Sequence, residues 1–236
     1  MTALNAGHSR IKICGLRDEK TIQAMNGLPV DEIGFIFAPS RRRIDKADAP
    51  KLIQAVHSLS ARGGQAPRAV GVFVNEPLEE LDLLLGTASL DVVQLHGAET
   101  PEYIAELRRR HPRIQVWKVF SIRSSDSDAA CTEAALAELA LARLAPYRSC
   151  VEAILIDAPG GGTGEAFNWM AIDHYQAASD SIGLPMYIAG GLHADNVRTL
   201  LGTYRPYGID VSSGVETDGI KDIEKMRLFV RRVMEA

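Results

Sequence analysis

The chain has 236 residues, of which 46% are hydrophobic and 24% are charged, and its formal net charge is −4. This length is close to the roughly 250 residues of one β/α barrel, although two small domains also fit it. The weak negative charge, without a basic stripe, argues against nucleic acid as a partner. No run approaches the ~20 apolar residues of a membrane span.

The short apolar runs along the chain predict eight strands, and segments with helical spacing lie between them. Leu78, Leu81 and Leu85 share one helix face, and so do Ile223, Met226, Val230 and Val233. Alternating strands and helices indicate parallel βαβ units, and eight units in one chain favour a closed barrel, the TIM-barrel fold class. The predicted strands are Arg10–Cys14, Asp31–Phe37, Arg68–Val74, Asp91–Leu95, Ile114–Phe120, Glu152–Asp157, Pro185–Ala189 and Tyr207–Val211.

The widest gap between predicted strands separates the fifth from the sixth. Ser124–Asp128 predicts a turn and a helix cap, and the Ala- and Leu-rich stretch Ala129–Leu144 predicts a long helix. No boundary between domains is visible. We therefore expect a flexible segment over residues 1–9, which lacks the apolar core of a signal peptide, and a single barrel domain over residues 10–236.

The number and spacing of the cysteines indicate the cellular compartment in which the protein is expected. Cys14, Cys131 and Cys150 are odd in number and irregular in spacing, which argues against a disulfide framework and against a zinc site. Reduced thiols predict a cytoplasmic protein.

Sites in β/α barrels lie at the carboxyl ends of the strands, so the residues that close each strand are the informative ones. Gly190-Gly191 closes the seventh strand and Ser212-Ser213-Gly214 closes the eighth. Glycine lets backbone N–H groups approach a phosphate, and a helix N-terminus favours an anion. Phosphate sites of barrels often form from these two loops, so we expect one here, although glycines also serve tight turns.

Two further strand ends carry candidate groups. Cys14 closes the first strand and Asp157 the sixth, and together they offer a base and an acid facing one pocket. Taken singly, the cysteine also fits a buried apolar position and the aspartate a helix cap, so the residues alone leave both interpretations open. Gly161-Gly162-Thr163-Gly164 follows Asp157 and is either a loop over the site or a flexible surface loop.

From Lys12 to Val230 the chain resembles the phosphoribosylanthranilate isomerase family. Each motif is short, and their order and spacing together are specific. The matching motifs are Lys12-Ile13-Cys14-Gly15, Gly34-Phe35-Ile36-Phe37, Ser40-Arg41-Arg42, Gly71-Val72-Phe73-Val74, Val93-Gln94-Leu95-His96-Gly97, Asp157 with Gly161-Gly162-Thr163-Gly164, Phe167, Trp169, Ala189-Gly190-Gly191-Leu192 and Asp210-Val211-Ser212-Ser213-Gly214-Val215-Glu216.

The resemblance implies a role for each matching residue. Cys14 falls on the general base, Asp157 on the general acid and Arg42 on the arginine that holds the anthranilate carboxylate. Asp210 falls near the sugar hydroxyls. His96 lines the site in the family, and a structural histidine is the alternative. The phosphate site is implied at Gly190, Gly191, Ser212, Ser213 and Gly214.

The sequence departs from the family pattern at two positions. Asn168 stands where the family usually has Asp, and Asn caps helices about as well. Arg41 stands where Pro is common, so Arg41 and Arg43 remain alternatives to Arg42 for the carboxylate.

The resemblance implies an Amadori rearrangement of N-(5-phosphoribosyl)anthranilate in tryptophan biosynthesis. Only protons move, so we expect no metal, nicotinamide or flavin. Both groups need tuning: partial burial raises the pKa of an Asp, and a cationic or helix-end environment lowers that of a Cys. The expected partner is the small phosphorylated substrate, and the protein is expected to be a monomer or a homodimer.

Two other functions compete with this one. A sister barrel isomerase of the histidine pathway shares the phosphate site but uses carboxylates as both acid and base, and Cys14 argues against it. The second alternative is a phosphate-binding regulator without catalysis. The presence of both Cys14 and Asp157 argues against it, because such a protein requires neither an acid nor a base.

Overall fold

A computed structural model describes residues 8–122, 132–157 and 170–236, the side chains of residues 170 and 171 excepted. Eight parallel strands pair in chain order, and the first pairs with the eighth, which closes the barrel. The eight predicted strands are therefore confirmed, each within one residue at either end. The strands are β1 Arg10–Cys14, β2 Glu32–Ile36, β3 Arg68–Phe73, β4 Val92–Leu95, β5 Gln115–Ser121, β6 Ala153–Asp157, β7 Met186–Ala189 and β8 Gly208–Val211.

Helices connect the strands and pack their apolar stripes against the outside of the barrel. In α8, for instance, Met226, Phe229, Val230 and Val233 are all buried, as the spacing predicts. Within the described ranges the helices are α1 Glu19–Ala24, α2 Ala49–His57, α3 Leu78–Leu85, α4 Pro101–Arg110, α5 Glu133–Leu144, α6 Met170–Ile182, α7 Val197–Thr203 and α8 Ile223–Met234.

The long helix before the sixth strand begins later than the sequence predicts. The side chain of Thr132 accepts a hydrogen bond from the backbone N–H of Ala135, so Thr132 is the N-cap of α5, which begins at Glu133 rather than at Ala129. A capping hydroxyl fixes a helix start more strongly than alanine propensity extends it. The cap predicted at Ser124–Asp128 lies outside the described residues.

The barrel interior is filled by side chains. The described core has two apolar clusters. The smaller one fills the barrel and includes Val70, Val92, Trp117, Leu155 and Tyr187, and the larger one lies between the strands and the helices. Alternate strand residues face inward and outward, as in other β/α barrels. Tyr187 stacks on Trp117 with ring centroids 4.6 Å apart.

The amino end of the barrel, where the strands begin, is closed by a buried carboxylate. Glu32 Oε1 accepts hydrogen bonds from Arg10 Nε at 2.8 Å, Arg68 Nη2 at 2.7 Å and Tyr187 Oη at 3.1 Å. The Glu32 side chain has no exposed surface. Two cations and one hydroxyl thus surround a single carboxylate oxygen.

A small antiparallel hairpin follows β8, which the sequence analysis did not predict. It pairs β9, Glu216–Thr217, with β10, Ile220–Lys221, and brings Lys221 back over the end of β8. None of the helices in the described ranges is both long enough and apolar enough to cross a membrane.

Candidate active site

A pocket of about 390 Å³ opens at the carboxyl mouth, the end of the barrel where the strands finish. This volume suits a small-molecule ligand. It brings together every predicted catalytic, substrate-binding and phosphate-binding residue except Gly214. Its lining residues are Cys14, Ile36, Arg42, Val72, Gln94, His96, Leu155, Asp157, Ala189, Gly190, Gly191, Leu192, Asp210, Ser212 and Ser213.

Cys14 ends β1 with only 5% of its surface exposed. Burial raises the pKa of its thiol above the ordinary value, and Asp210 adds to the rise, while Lys12 and Lys221 lower it by less. The sequence-based expectation of a lowered Cys14 pKa is therefore wrong for the free protein, because the cost of burying a thiolate outweighs the nearby cations.

Asp157 ends β6 in the same pocket. Burial, with a smaller contribution from Asp210 and against the opposing effect of Lys12, raises the pKa of its carboxyl to about 6. A carboxyl tuned in this way is protonated in about a tenth of the molecules at pH 7. Such a group suits a general acid working near neutrality.

His96, just after β4, lies beside this carboxyl. Its Nε2 is 3.6 Å from Asp157 Oδ2, which is too long for a hydrogen bond. Burial, Lys118 and Lys12 lower the pKa of His96, so near neutrality the ring is uncharged. The two side chains therefore form a contact rather than an ion pair.

Arg42 extends over the pocket and is held by a carboxylate that the sequence analysis did not assign. Its Nε and Nη2 donate to Glu216 Oε1 and Oε2 at 2.6 and 2.8 Å. The side chain crosses the backbone of Gly15, where a Cβ would lie 2.7 Å from Arg42 Cδ. Since Glu216 occupies one edge of the guanidinium, the Nη1–Nη2 edge is left open by the described residues for a second planar anion.

The structure distinguishes the three consecutive arginines. Arg42 lines the pocket, whereas Arg41 and Arg43 are exposed and do not. Arg41 Nη2 reaches Glu216 Oε2 only at 3.3 Å. The geometry favours Arg42 as the arginine available to a bound ligand.

The predicted phosphate site lies where β7 and β8 end. Gly190 and Gly191 have φ of +94° and +60°, a conformation that side chains disfavour. In the described part of the chain, no turn or loop hydrogen bond uses the backbone N–H of Gly190, Gly191 or Ser213. The Ser212 hydroxyl donates to Cys14 O at 3.1 Å, and a turn rather than a helix follows it.

Gly214 has a different position from the other four residues. It does not line the pocket, and a Cβ there would lie 1.9 Å from Leu192 O. A parallel bridge joins it to His193. Its missing side chain lets the loops after β7 and β8 meet, which places it behind the predicted phosphate site.

Besides Glu216, three polar residues in or beneath the pocket were not predicted to be site residues. Lys12 is fully buried, and its Nζ lies 3.1 Å from Asp210 Oδ1. Lys221 Nζ donates to Ser212 O at 2.8 Å and to Glu216 Oε1 at 2.7 Å. Gln94 lines the pocket. A period of two along β1 was the available signal for Lys12, since it shares a face with Cys14.

The predicted glycine loop, Gly161-Gly162-Thr163-Gly164, lies outside the described residues. Among the residues that are described, no three His, Cys, Asp or Glu side chains are grouped so as to hold a metal ion.

The fold and the pocket first define a class: a β/α-barrel enzyme whose site lies at the carboxyl ends of the strands. The family model described as N-(5'-phosphoribosyl)anthranilate isomerase matches residues 11–232. The chain is 42% identical over 229 residues to the N-(5'-phosphoribosyl)anthranilate isomerase of Brevibacillus brevis, covering 95% of this chain and 93% of that protein.

Solved structures agree with the sequence relatives. The crystal structure of phosphoribosyl anthranilate isomerase from Thermotoga maritima is similar at a TM-score of 0.74 and 29% identity, covering 97% of this chain and all of that one. A further phosphoribosyl anthranilate isomerase structure, in complex with reduced 1-(o-carboxyphenylamino)-1-deoxyribulose 5-phosphate, has a TM-score of 0.72, 29% identity and the same coverage. The chain belongs to the N-(5'-phosphoribosyl)anthranilate isomerase family, and it is an isomerase of tryptophan biosynthesis.

Proposed function

We propose that this chain converts N-(5-phosphoribosyl)anthranilate to 1-(2-carboxyphenylamino)-1-deoxyribulose 5-phosphate, with Asp157 as general acid and Cys14 as general base. The observation that carries the assignment is one 390 Å³ pocket lined by a carboxyl with a pKa of about 6 and by a buried thiol. Proton transfer to and from one substrate needs two such groups.

The first step opens the sugar ring. Protonated Asp157 gives its proton to the furanose ring oxygen while the C1–O bond breaks. The lone pair of the anthranilate nitrogen forms the C1=N bond, which leaves a cationic Schiff base and ionised Asp157. The raised pKa of Asp157 keeps a protonated fraction available for this step at neutral pH.

The second step moves the hydrogen from C2. The Cys14 thiolate takes the C2 proton, and the electrons of that bond form C1=C2 while the C=N electrons return to nitrogen. The resulting enolamine becomes the ketone when C1 gains a proton and the C2 hydroxyl loses one. Atoms and charge balance, so the product is an isomer of the substrate.

The remaining groups are proposed to hold the substrate. The free edge of Arg42 is proposed to bind the anthranilate carboxylate, because a guanidinium fork matches a planar anion. The backbone N–H groups of Gly190 and Gly191, together with Ser212 and Ser213, are proposed to bind the phosphate. Asp210 is proposed to face the sugar hydroxyls and His96 to line the substrate.

The test is turnover of N-(5-phosphoribosyl)anthranilate, followed by loss of anthranilate fluorescence. We expect Asp157→Asn, Cys14→Ala and Cys14→Ser each to lower kcat by at least about 10²-fold, because acid or base catalysis contributes about 10²–10⁴-fold. Binding is expected to suffer less, since Arg42 and the anion site remain.

Cys150→Ala is the matched control, because Cys150 is a free thiol that does not line the pocket. Thermal unfolding of each variant separates lost chemistry from lost structure. Near wild-type kcat in folded Cys14→Ala and Asp157→Asn proteins would disprove the mechanism. Turnover of the histidine-pathway aminosugar instead of the anthranilate substrate would disprove the substrate. The monomer-or-homodimer expectation stays a prediction.

A further inference from the structure

Lys12 is a fully buried cation that the proposed reaction does not use. Its side chain has no exposed surface, and its Nζ lies 3.1 Å from Asp210 Oδ1. A buried ammonium is costly unless it is paired. Asp210 takes one of its three donors, and two remain for other acceptors inside the barrel.

Cys14 lies next to this ammonium. The two residues are two positions apart on β1, so both side chains point into the barrel. Gly34, on the neighbouring strand, shows how close they come. A Cβ on Gly34 would lie 2.7 Å from Cys14 Sγ and 3.1 Å from Lys12 Nζ. The thiol and the ammonium therefore flank one point, and the missing side chain of Gly34 makes room for both.

We propose that Lys12 is a positioning residue for Cys14: its buried ammonium lies beside the thiol and stabilises the thiolate form in which Cys14 takes the C2 proton. The inference rests on the proposed function in making Cys14 the base. Lys12 itself keeps its proton throughout, so the proton balance of the reaction is unchanged.

The surrounding charges assign the effect to Lys12 rather than to another cation. Burial opposes the Cys14 thiolate most strongly, Lys12 favours it most strongly, and Lys221 favours it by less. Burial lowers the pKa of Lys12, but Asp210 and Cys14 outweigh burial and raise it to about 12, so Lys12 stays charged. Among the described residues, the charged or titratable groups around Cys14 are Lys12 on β1, Arg42 after β2, His96 after β4, Asp157 on β6, Asp210 on β8 and Glu216 and Lys221 on the hairpin.

The test measures the titration of the Cys14 thiol directly. The full chain is alkylated with iodoacetamide across a pH series, and the modified fraction is read by mass spectrometry on the peptide that contains Cys14. Alkylation of Cys150 in the same samples is the internal control. We expect Lys12→Met to move the Cys14 midpoint up by about 1–3 pH units, which is the usual effect of a close opposite charge.

Asp210→Asn is expected to shift the Cys14 midpoint in the opposite direction. It removes the anion that competes for the ammonium, so the Cys14 midpoint is expected to move down. The double variant Lys12→Met/Asp210→Asn buries no unpaired charge, and its midpoint is expected between those of Lys12→Met and the wild type. If Lys12→Met does not fold, Asp210→Asn and the double variant carry the test. A midpoint that moves the same way in both single variants, or does not move, overturns the proposal.

Turnover adds a readout that a purely structural lysine would not move. We expect the pH at which kcat/KM falls on the alkaline side to rise in Lys12→Met together with the thiol midpoint. Both quantities report the pKa of Cys14, which is the higher of the two catalytic pKa values. The thiol titration does not depend on Cys14 being the base. If the Cys14 midpoint shifts in Lys12→Met but kcat stays normal in Cys14→Ala, the proposed function is disproved and this inference is not. If the midpoint does not move in Lys12→Met but kcat is lost in Cys14→Ala, this inference is disproved and the proposed function is not.

Discussion

The two ends of the barrel both bury charge, but they treat it differently. At the amino end, Glu32 Oε1 receives hydrogen bonds from Arg10, Arg68 and Tyr187, so the carboxylate is paired with two cations and a hydroxyl. At the carboxyl mouth, Lys12 is shared between Asp210 and Cys14, while the carboxylate of Asp157 has His96 at 3.6 Å as its nearest cationic or imidazole partner among the described residues. The paired carboxylate at the amino end stabilises the fold, whereas the carboxyl of Asp157 and the thiol of Cys14 at the mouth have raised pKa values because burial outweighs their partners.

This contrast explains how one closed sheet serves both structure and chemistry. Side chains at the amino end can be chosen for stability, because sites in β/α barrels lie at the opposite end. At the mouth, burial without full pairing raises the pKa of Asp157 to about 6 and raises that of Cys14. Variants at the two ends are therefore expected to differ in kind: stability is lost at the amino end and turnover at the mouth.

The largest effect is expected from removing the matched carboxylate. Glu32→Gln leaves Arg10 and Arg68 without their shared counter-charge, and breaking a buried ion pair costs about 3 kcal/mol or more. We expect the free energy of unfolding, measured by urea denaturation, to fall by that amount, while kcat of the remaining folded protein stays near the wild-type value.

Glu224→Gln is the control for Glu32→Gln. Glu224 pairs with Arg227 on an exposed helix face, and such pairs contribute little, so the unfolding midpoint should not change. If Glu32→Gln unfolds at the wild-type urea concentration, the amino-end network does not stabilise the barrel, and the contrast between the two ends fails.

A smaller effect is expected from Arg42→Ala at the mouth. The substitution removes the guanidinium edge that faces the pocket, and losing a charge-assisted pair costs about 2 kcal/mol. KM is expected to rise by roughly 30-fold, the factor that corresponds to this energy, with a smaller change in kcat. Steady-state kinetics with N-(5-phosphoribosyl)anthranilate measures both.

Neighbouring residues provide the controls for Arg42. Arg41→Ala and Arg43→Ala, which change exposed side chains, are expected to leave KM near normal. Glu216→Gln keeps Arg42 but weakens its support, so its KM should lie between those of the wild type and Arg42→Ala. If Arg41→Ala or Arg43→Ala raises KM more than Arg42→Ala does, the carboxylate is bound by another arginine.

Sequence patterns predicted the strands and the strand-end residues because these depend on local order. The apolar runs end at Cys14 and at Asp157, and barrel closure then brings these strand ends together. The period of two places Lys12 on the same face as Cys14, but its pairing with Asp210 was not visible, since the two residues are 198 positions apart and meet only after closure. The same holds for Gly214, whose constraint is the carbonyl of Leu192. The Cys14 pKa was mispredicted because the sequence does not give the extent of burial.

The smallest effect concerns the stability that Asp157 costs the fold. Its pKa is about 6 in the folded protein against 3.8 for a free aspartate. Between these values the folded state holds a proton that the unfolded state has lost, so stability falls as pH rises through this window and stays reduced above it. Asp157→Asn removes that cost, and the variant should unfold at a higher temperature than the wild type at pH 7.5.

The gain in unfolding temperature of Asp157→Asn is expected to disappear below about pH 4, where Asp157 of the wild type is protonated in both the folded and the unfolded state. Because 36% of the side chain is exposed, water screens part of the effect, and we expect a shift on the order of 2–4 °C. Asp195→Asn, on a side chain that is 89% exposed, is the control and should show no pH-dependent gain. Thermal unfolding of the three proteins at pH 4 and pH 7.5 decides the matter. A gain that is equal at both pH values would come from packing, and the carboxyl at the mouth would then be as well matched as Glu32 at the amino end.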